Sequence, residues 1–186
     1  MKGKINHSQS KSSLMKTIIL ILLLSPIFVF SQKSNIFIKL TDARGQQIKG
    51  DATEKGFERW LGSSTVHSSG KNNTTFSFMM SISGASADLK RAMTNGEFLI
   101  DGQVVFTAMD PMGSGRMLTN YTIKLENITV LSCEESLGCN GVMNTSVTLQ
   151  ATRIGWTYYQ TGKTGTQIVS KKYGWDAGNN REWTNF

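Results

Sequence analysis

Apolar positions in this chain follow two regimes. Residues 17–30, "TIILILLLSPIFVF", form a nearly unbroken apolar run with no charge inside it. From Ile36 onward, apolar residues mostly alternate with polar ones, the period-two mark of half-buried strands. In "NIFIKL", Ile36, Ile38 and Leu40 face away from Phe37 and Lys39. "TTFSFMMSI" puts Phe76, Phe78, Met80 and Ile82 on one face. "NYTIKLENITVLS" aligns Tyr121, Ile123 and Leu125, then Ile128, Val130 and Ser132 after a shift at Asn127. Val147, Leu149 and Ala151 lead in the same way to Ile154, Trp156 and Tyr158. "FLIDGQVVFTAM" reads as a turn at Asp101-Gly102 followed by Val104 and Phe106, and "TQIVSKKYGW" closes the set. "GFERWLGSSTVHSS" reads as an extended run carrying Phe57 and Trp60, which passes into a polar loop over residues 62–73.

One segment departs from this period. "SGASADLKRAMTNGE" has Leu89 and Met93 four apart, Ser86 as an N-cap, Asp88 in the first turn and Gly96 as the stop. The pattern therefore predicts an all-β domain with one short helix. About seven or eight strands of such length must curl or split into two packed layers, a small barrel or sandwich.

The apolar run at 17–30 is shorter than the ~20 residues that a membrane-spanning helix needs, and Pro26 interrupts it. Lys16 precedes it, and Val29-Phe30-Ser31 puts a small residue at the cut and a tolerated Val two before it. This is the order of a secretory signal peptide, with cleavage near Ser31/Gln32. Residues 1–31 are read as leader and 32–186 as one domain, secreted or periplasmic after cleavage. The polar, basic stretch before Met15 is either an overlong positive region or the product of a start site upstream of the true one. Setting aside Lys2, Lys4, Lys11 and Lys16 lowers the net charge from +7 to +3. The remaining cations are scattered, with no basic stripe of the kind that nucleic-acid binding requires.

The cysteines, Cys133 and Cys139, stand in "SCEESLGC". An oxidising compartment favours their pairing as a disulfide; two free thiols flanking a loop is the other reading. Two Cys without a nearby His are too few for a structural zinc, and no metal or cofactor is expected. The domain's one histidine, His67, lies among Ser63, Ser64, Ser68 and Ser69 without triad geometry, and no GxSxG elbow occurs. Glu54 and Glu58, flanked by Lys55 and Arg59, read as solvated ion pairs. "PMGSGRM" lacks the Lys-Ser/Thr of a phosphate loop and reads as a hairpin turn. No catalytic residue is assigned. Trp156, Tyr158, Tyr159, Tyr173, Trp175 and Trp183 gather in the last third, where rings serve as core, stack on sugars or anchor interfaces.

In order and spacing these pieces resemble the haemolysin-coregulated protein (Hcp) family, the tube subunit of type VI secretion. The resemblance is carried by "IFIKLTD" with "IKG", by "FSFMMSISGASADLKRAMTNGE", by "YTIKLENITVLSCEES", and by "VTLQATRIGWTYY" followed by "YGWD". It implies an Hcp-like β-barrel of two packed antiparallel sheets with one helix at its side. It implies a homo-hexameric ring, rings stacked into a hollow tube, effector cargo in the lumen, and sheath and spike partners. The family's extended stacking loop corresponds to residues 62–73, which makes Ser64, Val66, His67, Ser69 and Lys71 the candidate ring-stacking residues. A cleavable leader and a cysteine pair are not usual for such subunits, which are assembled in the cytoplasm. An exported Hcp-like binding module that holds a partner or glycan without forming tubes is therefore the alternative. An exported enzyme on this scaffold is a third reading.

Overall fold

The computed structural model describes residues 34–69, 74–110, 115–138, 141–162 and 166–186. The leader, Lys71 and Cys139 lie outside the described residues. Among these described residues, nine strands and one helix follow in the order β1 (Ser34–Asp42), β2 (Leu61–Ser63), β3 (Thr65–Ser68), β4 (Thr75–Ser81), α1 (Gly84–Asn95), β5 (Leu99–Met109), β6 (Met117–Leu137), β7 (Met143–Thr161), β8 (Gln167–Asp176) and β9 (Arg181–Glu182).

All of these strands belong to a single antiparallel sheet, ordered β2-β1-β5-β6-β7-β4-β3, with β8 added to β7 and β9 to β8. The sequence suggested two packed sheets. The length of β6 and β7 explains the difference. β6 pairs with β5 through Ile128 and with β7 from Tyr121 to Leu137. β7 carries β4 along its first part and β8 along its second. The two layers are thus two halves of one rolled sheet, joined through the long hairpin, and their inward side chains form one core cluster. The sheet is not closed. Its end strands β2 and β3 are separated only by a bend at Ser64, whose N–H donates to the Met79 carbonyl at 3.1 Å.

The alternation reads well through most of the core. Ile38, Leu40, Phe76, Phe78, Val104, Ile123, Leu125, Ile128, Val147, Leu149 and Ile154 are all buried. Burial of each such side chain is worth about 1.5–3 kcal/mol. Phe37 is buried too, on the opposite side of β1, where Phe57 stacks on it at 4.2 Å with 7° between the ring planes.

Four local expectations change. First, the shift at Asn127 is real: this residue has a left-handed backbone, φ 51°. A second shift at Leu131 follows, so that Cys133, not Ser132, turns inward. Second, Asp101-Gly102 is no turn, because β5 runs straight through it. Gly102 is needed for close approach instead: a Cβ there would meet Ile128 Cδ1 at 2.8 Å and Leu40 Cδ2 at 3.1 Å. Third, Ser83, not Ser86, is the N-cap of α1. Ser86 is the third helical residue; its Oγ accepts from the Ser83 N–H at 3.2 Å and bonds Thr145 Oγ1 at 2.9 Å. Ala85, Leu89 and Ala92 then fix the helix to the core, and Gly96 ends it at φ 65°. Fourth, the described part of the 62–73 loop is strand, β2 and β3 with the bend between them.

Candidate assembly surface

The residues expected in a stacking loop sit on the β3–β4 hairpin. Thr65, Val66, His67 and Ser68 pair with Met79, Phe78, Ser77 and Phe76 of β4. Val66 packs partly on the core, while His67 and Ser68 are exposed. The pairing extends through the Ser69 N–H to the Thr75 carbonyl at 3.0 Å, and the Ser69 and Thr75 hydroxyls meet at 2.7 Å. At the other end Ser63 Oγ donates within 2.9 Å of the Met79 carbonyl, beside the Ser64 bend. The structure thus brings Ser64, Val66, His67 and Ser69 together on or beside one hairpin; Lys71 lies outside the described residues.

A second surface had no motif to announce it. Ile168 is 54% exposed and its neighbour Val169 57%. Adjacent strand residues point to opposite faces, so this part of β8 is covered on neither face. Tyr158 and Tyr173 are half-exposed beside it. Their rings belong to two groups: Phe106 to Tyr121 at 5.1 Å and Tyr121 to Tyr158 at 4.5 Å in one, Trp156 stacked on Tyr173 at 5.8 Å in the other. Burial, with the hydrogen bond to Tyr158, pushes the Tyr121 phenol well above the usual tyrosine range. Trp183, by contrast, is core, and its ring lies 4.7 Å from Phe186.

Several charged groups are engaged in structure. Arg153 bridges Glu126 at 3.1 Å and the buried Asp176 at 3.0 Å, and Lys124 holds Asp101. Glu54 and Glu58 differ from the expected ion pairs: their carboxylates accept from the backbone N–H groups of Thr53 and Gly56. Hydrogen bonds from its own and the Gly56 backbone hold Glu58 below the ordinary glutamate range. Cys133 is buried, its Sγ 3.9 Å from the Ser86 carbonyl, and burial raises its thiol pKa. Its proposed pairing involves Cys139, outside the described residues. Among the described residues, no group of three or more His, Cys, Asp or Glu is placed to hold a metal ion, and no helix is long and apolar enough to cross a membrane.

The family described as type VI secretion system effector, Hcp, matches residues 37–158. The chain belongs to the Hcp family. Solved Hcp structures share the fold. Hcp1 from Salmonella typhimurium is 18% identical, with 81% of this chain and 99% of that one covered and a TM-score of 0.63. Secreted protein Hcp3 from Pseudomonas aeruginosa is 16% identical over 75% of this chain and 98% of its own, at 0.59. A type VI secretion system effector from Yersinia pestis is 15% identical over 76% and 98%, at 0.58. No curated protein matches this Hcp chain in sequence.

Proposed function

We propose that this Hcp-family protein is a structural subunit of a type VI secretion tube. Copies close into a hexameric ring, and rings stack into a hollow tube that carries effectors and meets sheath and spike proteins. The observation that carries this reading is the family match over residues 37–158, on a chain whose rolled sheet has the Hcp fold. The physics is consistent: a heterologous contact that closes gives a ring, and one that does not close extends the assembly. The bare flank of β8 suits the first contact and the β3–β4 hairpin the second. The role needs no catalysis.

The hairpin also sets the design of the test. Removing β3 would strip β4 of a partner and take Val66 off the core it packs on, so residues 70–73 alone are the proper target. Residues 70–73 are replaced by a two-residue Asn-Gly turn, which suits a hairpin. Light scattering of the purified protein is expected to give a hexamer for both proteins, with filaments in electron micrographs of the wild type only. Unchanged filaments would remove the hairpin from stacking. A wild-type monomer would instead favour an exported binding module, a reading that the half-exposed rings of Tyr158 and Tyr173 support. Export itself is tested by the N-terminus of the native protein, expected near Gln32; Met1 or Met15 there means that the leader is not used and assembly precedes secretion.

A further inference from the structure

A polar cavity of about 450 Å³ opens between one row of the sheet and the segment that follows β8. Strand register builds its floor. Glu126 of β6 stands opposite Arg153 of β7, and Arg153 stands opposite Asp176 of β8. β9 and the residues after it supply the other wall, with Arg181, Glu182 and Asn185, all exposed. Trp183 anchors that wall. It is buried, lines the cavity, and donates its N–H to the Gly174 carbonyl at 2.9 Å.

The floor is pre-arranged and already neutralised. Arg153 Nε meets Asp176 at 3.0 Å and its Nη1 meets Glu126 at 3.1 Å. Asp176 also accepts from the Asn179 N–H at 3.0 Å and from Asn179 Nδ2 at 2.9 Å. A guanidinium carries more N–H donors, and a carboxylate more lone pairs, than these contacts use. The Arg153 and Glu126 side chains stay 35% and 30% exposed, so donors and acceptors remain for a ligand.

The charges decide what that ligand is. Three carboxylates and two guanidiniums line the same space. An anion would be repelled by Glu126 and Glu182, and a cation by Arg153 and Arg181. A neutral group that both donates and accepts meets neither penalty. Neighbouring hydroxyls of a sugar ring do this: one accepts from a guanidinium while the other donates to a carboxylate. The cavity has the size of a small-molecule site but not the usual apolar lining, which argues against a hydrophobic ligand. Trp183, only 8% exposed, is too deep to offer a full stacking face, so recognition would be by hydrogen bonds.

We propose that this cavity binds one neutral sugar unit, held by Arg153, Arg181, Glu182 and Asn185. The site is distinct from the half-exposed Tyr158 and Tyr173 rings, and it does not rest on the tube reading.

Saturation-transfer NMR and calorimetry on the purified full-length protein test it. The probes are glucose, galactose, mannose and N-acetylglucosamine, each beside the amine and uronate forms of its ring. At least one neutral sugar should bind, with a millimolar Kd, more tightly than its charged counterparts. Arg181→Ala with Asn185→Ala should keep the wild-type urea midpoint and raise that Kd about tenfold or more. If the midpoint falls, Glu182→Gln replaces that variant; it keeps the side-chain size and should also weaken binding. A trisaccharide of the same sugar that binds more tightly assigns the site to a unit within a chain, and equal affinity to a terminal unit; both outcomes support the proposal. Binding of no neutral sugar, tighter binding of a uronate or an amine, or wild-type affinity in the folded variant overturns it.

Discussion

Two glycines show how finely single residues set this surface. Gly155 and Gly174 face each other on β7 and β8. A Cβ on Gly155 would lie 2.4 Å from the Phe186 ring; one on Gly174 would lie 2.4 Å from the Trp183 carbonyl and 2.5 Å from Phe186. Together they cut a notch in which the C-terminal residues seat, and Lys172 holds the Phe186 carbonyl with its Nζ 4.1 Å from the ring centroid. A ring at the end of a segment can swing aside. The Trp183 backbone cannot do so freely, because its N–H is bonded to the Gly174 carbonyl at 2.9 Å. Gly174→Ala should therefore cost about 1–3 kcal/mol in urea unfolding, and Gly155→Ala less. Asp176, nearby, is held below the ordinary carboxylate range by the Asn179 side chain first, then by the Asn179 backbone and Arg153. A carboxyl depressed in the folded state stabilises above its unfolded pKa, near ~3.9, and loses that contribution as pH falls through the folded value. Asp176→Asn should melt below wild type at neutral pH, and the gap should narrow as the pH falls to about 3 and below. "YGWD" marked the region in the sequence, but neither the notch nor the carboxylate's partners could be read there. Both depend on which residues of β7 and the tail come opposite β8.

At the scale of elements, a buried hydroxyl pair helps to join the helix to the sheet. Ser86 and Thr145, both buried, share a hydrogen bond at 2.9 Å between α1 and β7. Thr145→Val leaves the Ser86 hydroxyl with one partner fewer, at a cost of about 1–3 kcal/mol. Ser86→Ala with Thr145→Val should cost less than the sum of the two single changes, since one substitution already breaks the shared bond. Urea unfolding of the four proteins measures that difference, and strict additivity would mean that the link contributes nothing. The same elements show what patterning reveals. A period of two located β1, β4, β5, β6 and β7, and the Leu89–Met93 spacing with Gly96 located α1, because burial on one face repeats with the backbone. The bulge at Leu131 escaped, since no turn-forming residue marks it, and every inward position after it moved by one to Cys133. Ser86 was placed correctly on the helix but at the wrong position, because Ser83 offers the same cap chemistry three residues earlier. β2 and β3 were hidden by their Gly and Ser content, which reads as loop until β1 and β4 supply partners.

The whole molecule presents a problem that its own core does not solve. A two-stranded ribbon in water is marginal at best, yet the outer part of β7–β8 has little else to hold it. Ile168 and Val169 are more than half-exposed on opposite faces, and Tyr158 and Tyr173 on the same strand pair are half-exposed. Lys171 and Lys172 follow after Ser170, charges that discourage indiscriminate edge pairing. Such a flank is stable as drawn if a neighbouring copy covers it. Assembly surfaces carry no motif of fixed spacing, which is why the sequence exposed the family but not this patch. Ring formation therefore makes a sharp demand on two residues. Ile168→Lys with Val169→Lys removes no buried side chain, so the protomer should keep its circular dichroism spectrum. Its own interior packing should be unaffected, while the two new charges would be desolvated in any ring contact without a partner. The variant is expected to elute and scatter light as a folded monomer where the wild type gives a hexamer. If it still forms the wild-type oligomer, the β8 flank faces solvent in the assembly and the ring must close through another surface. A wild type that is itself monomeric, with this flank exposed, would leave β7–β8 free to serve the binding reading instead.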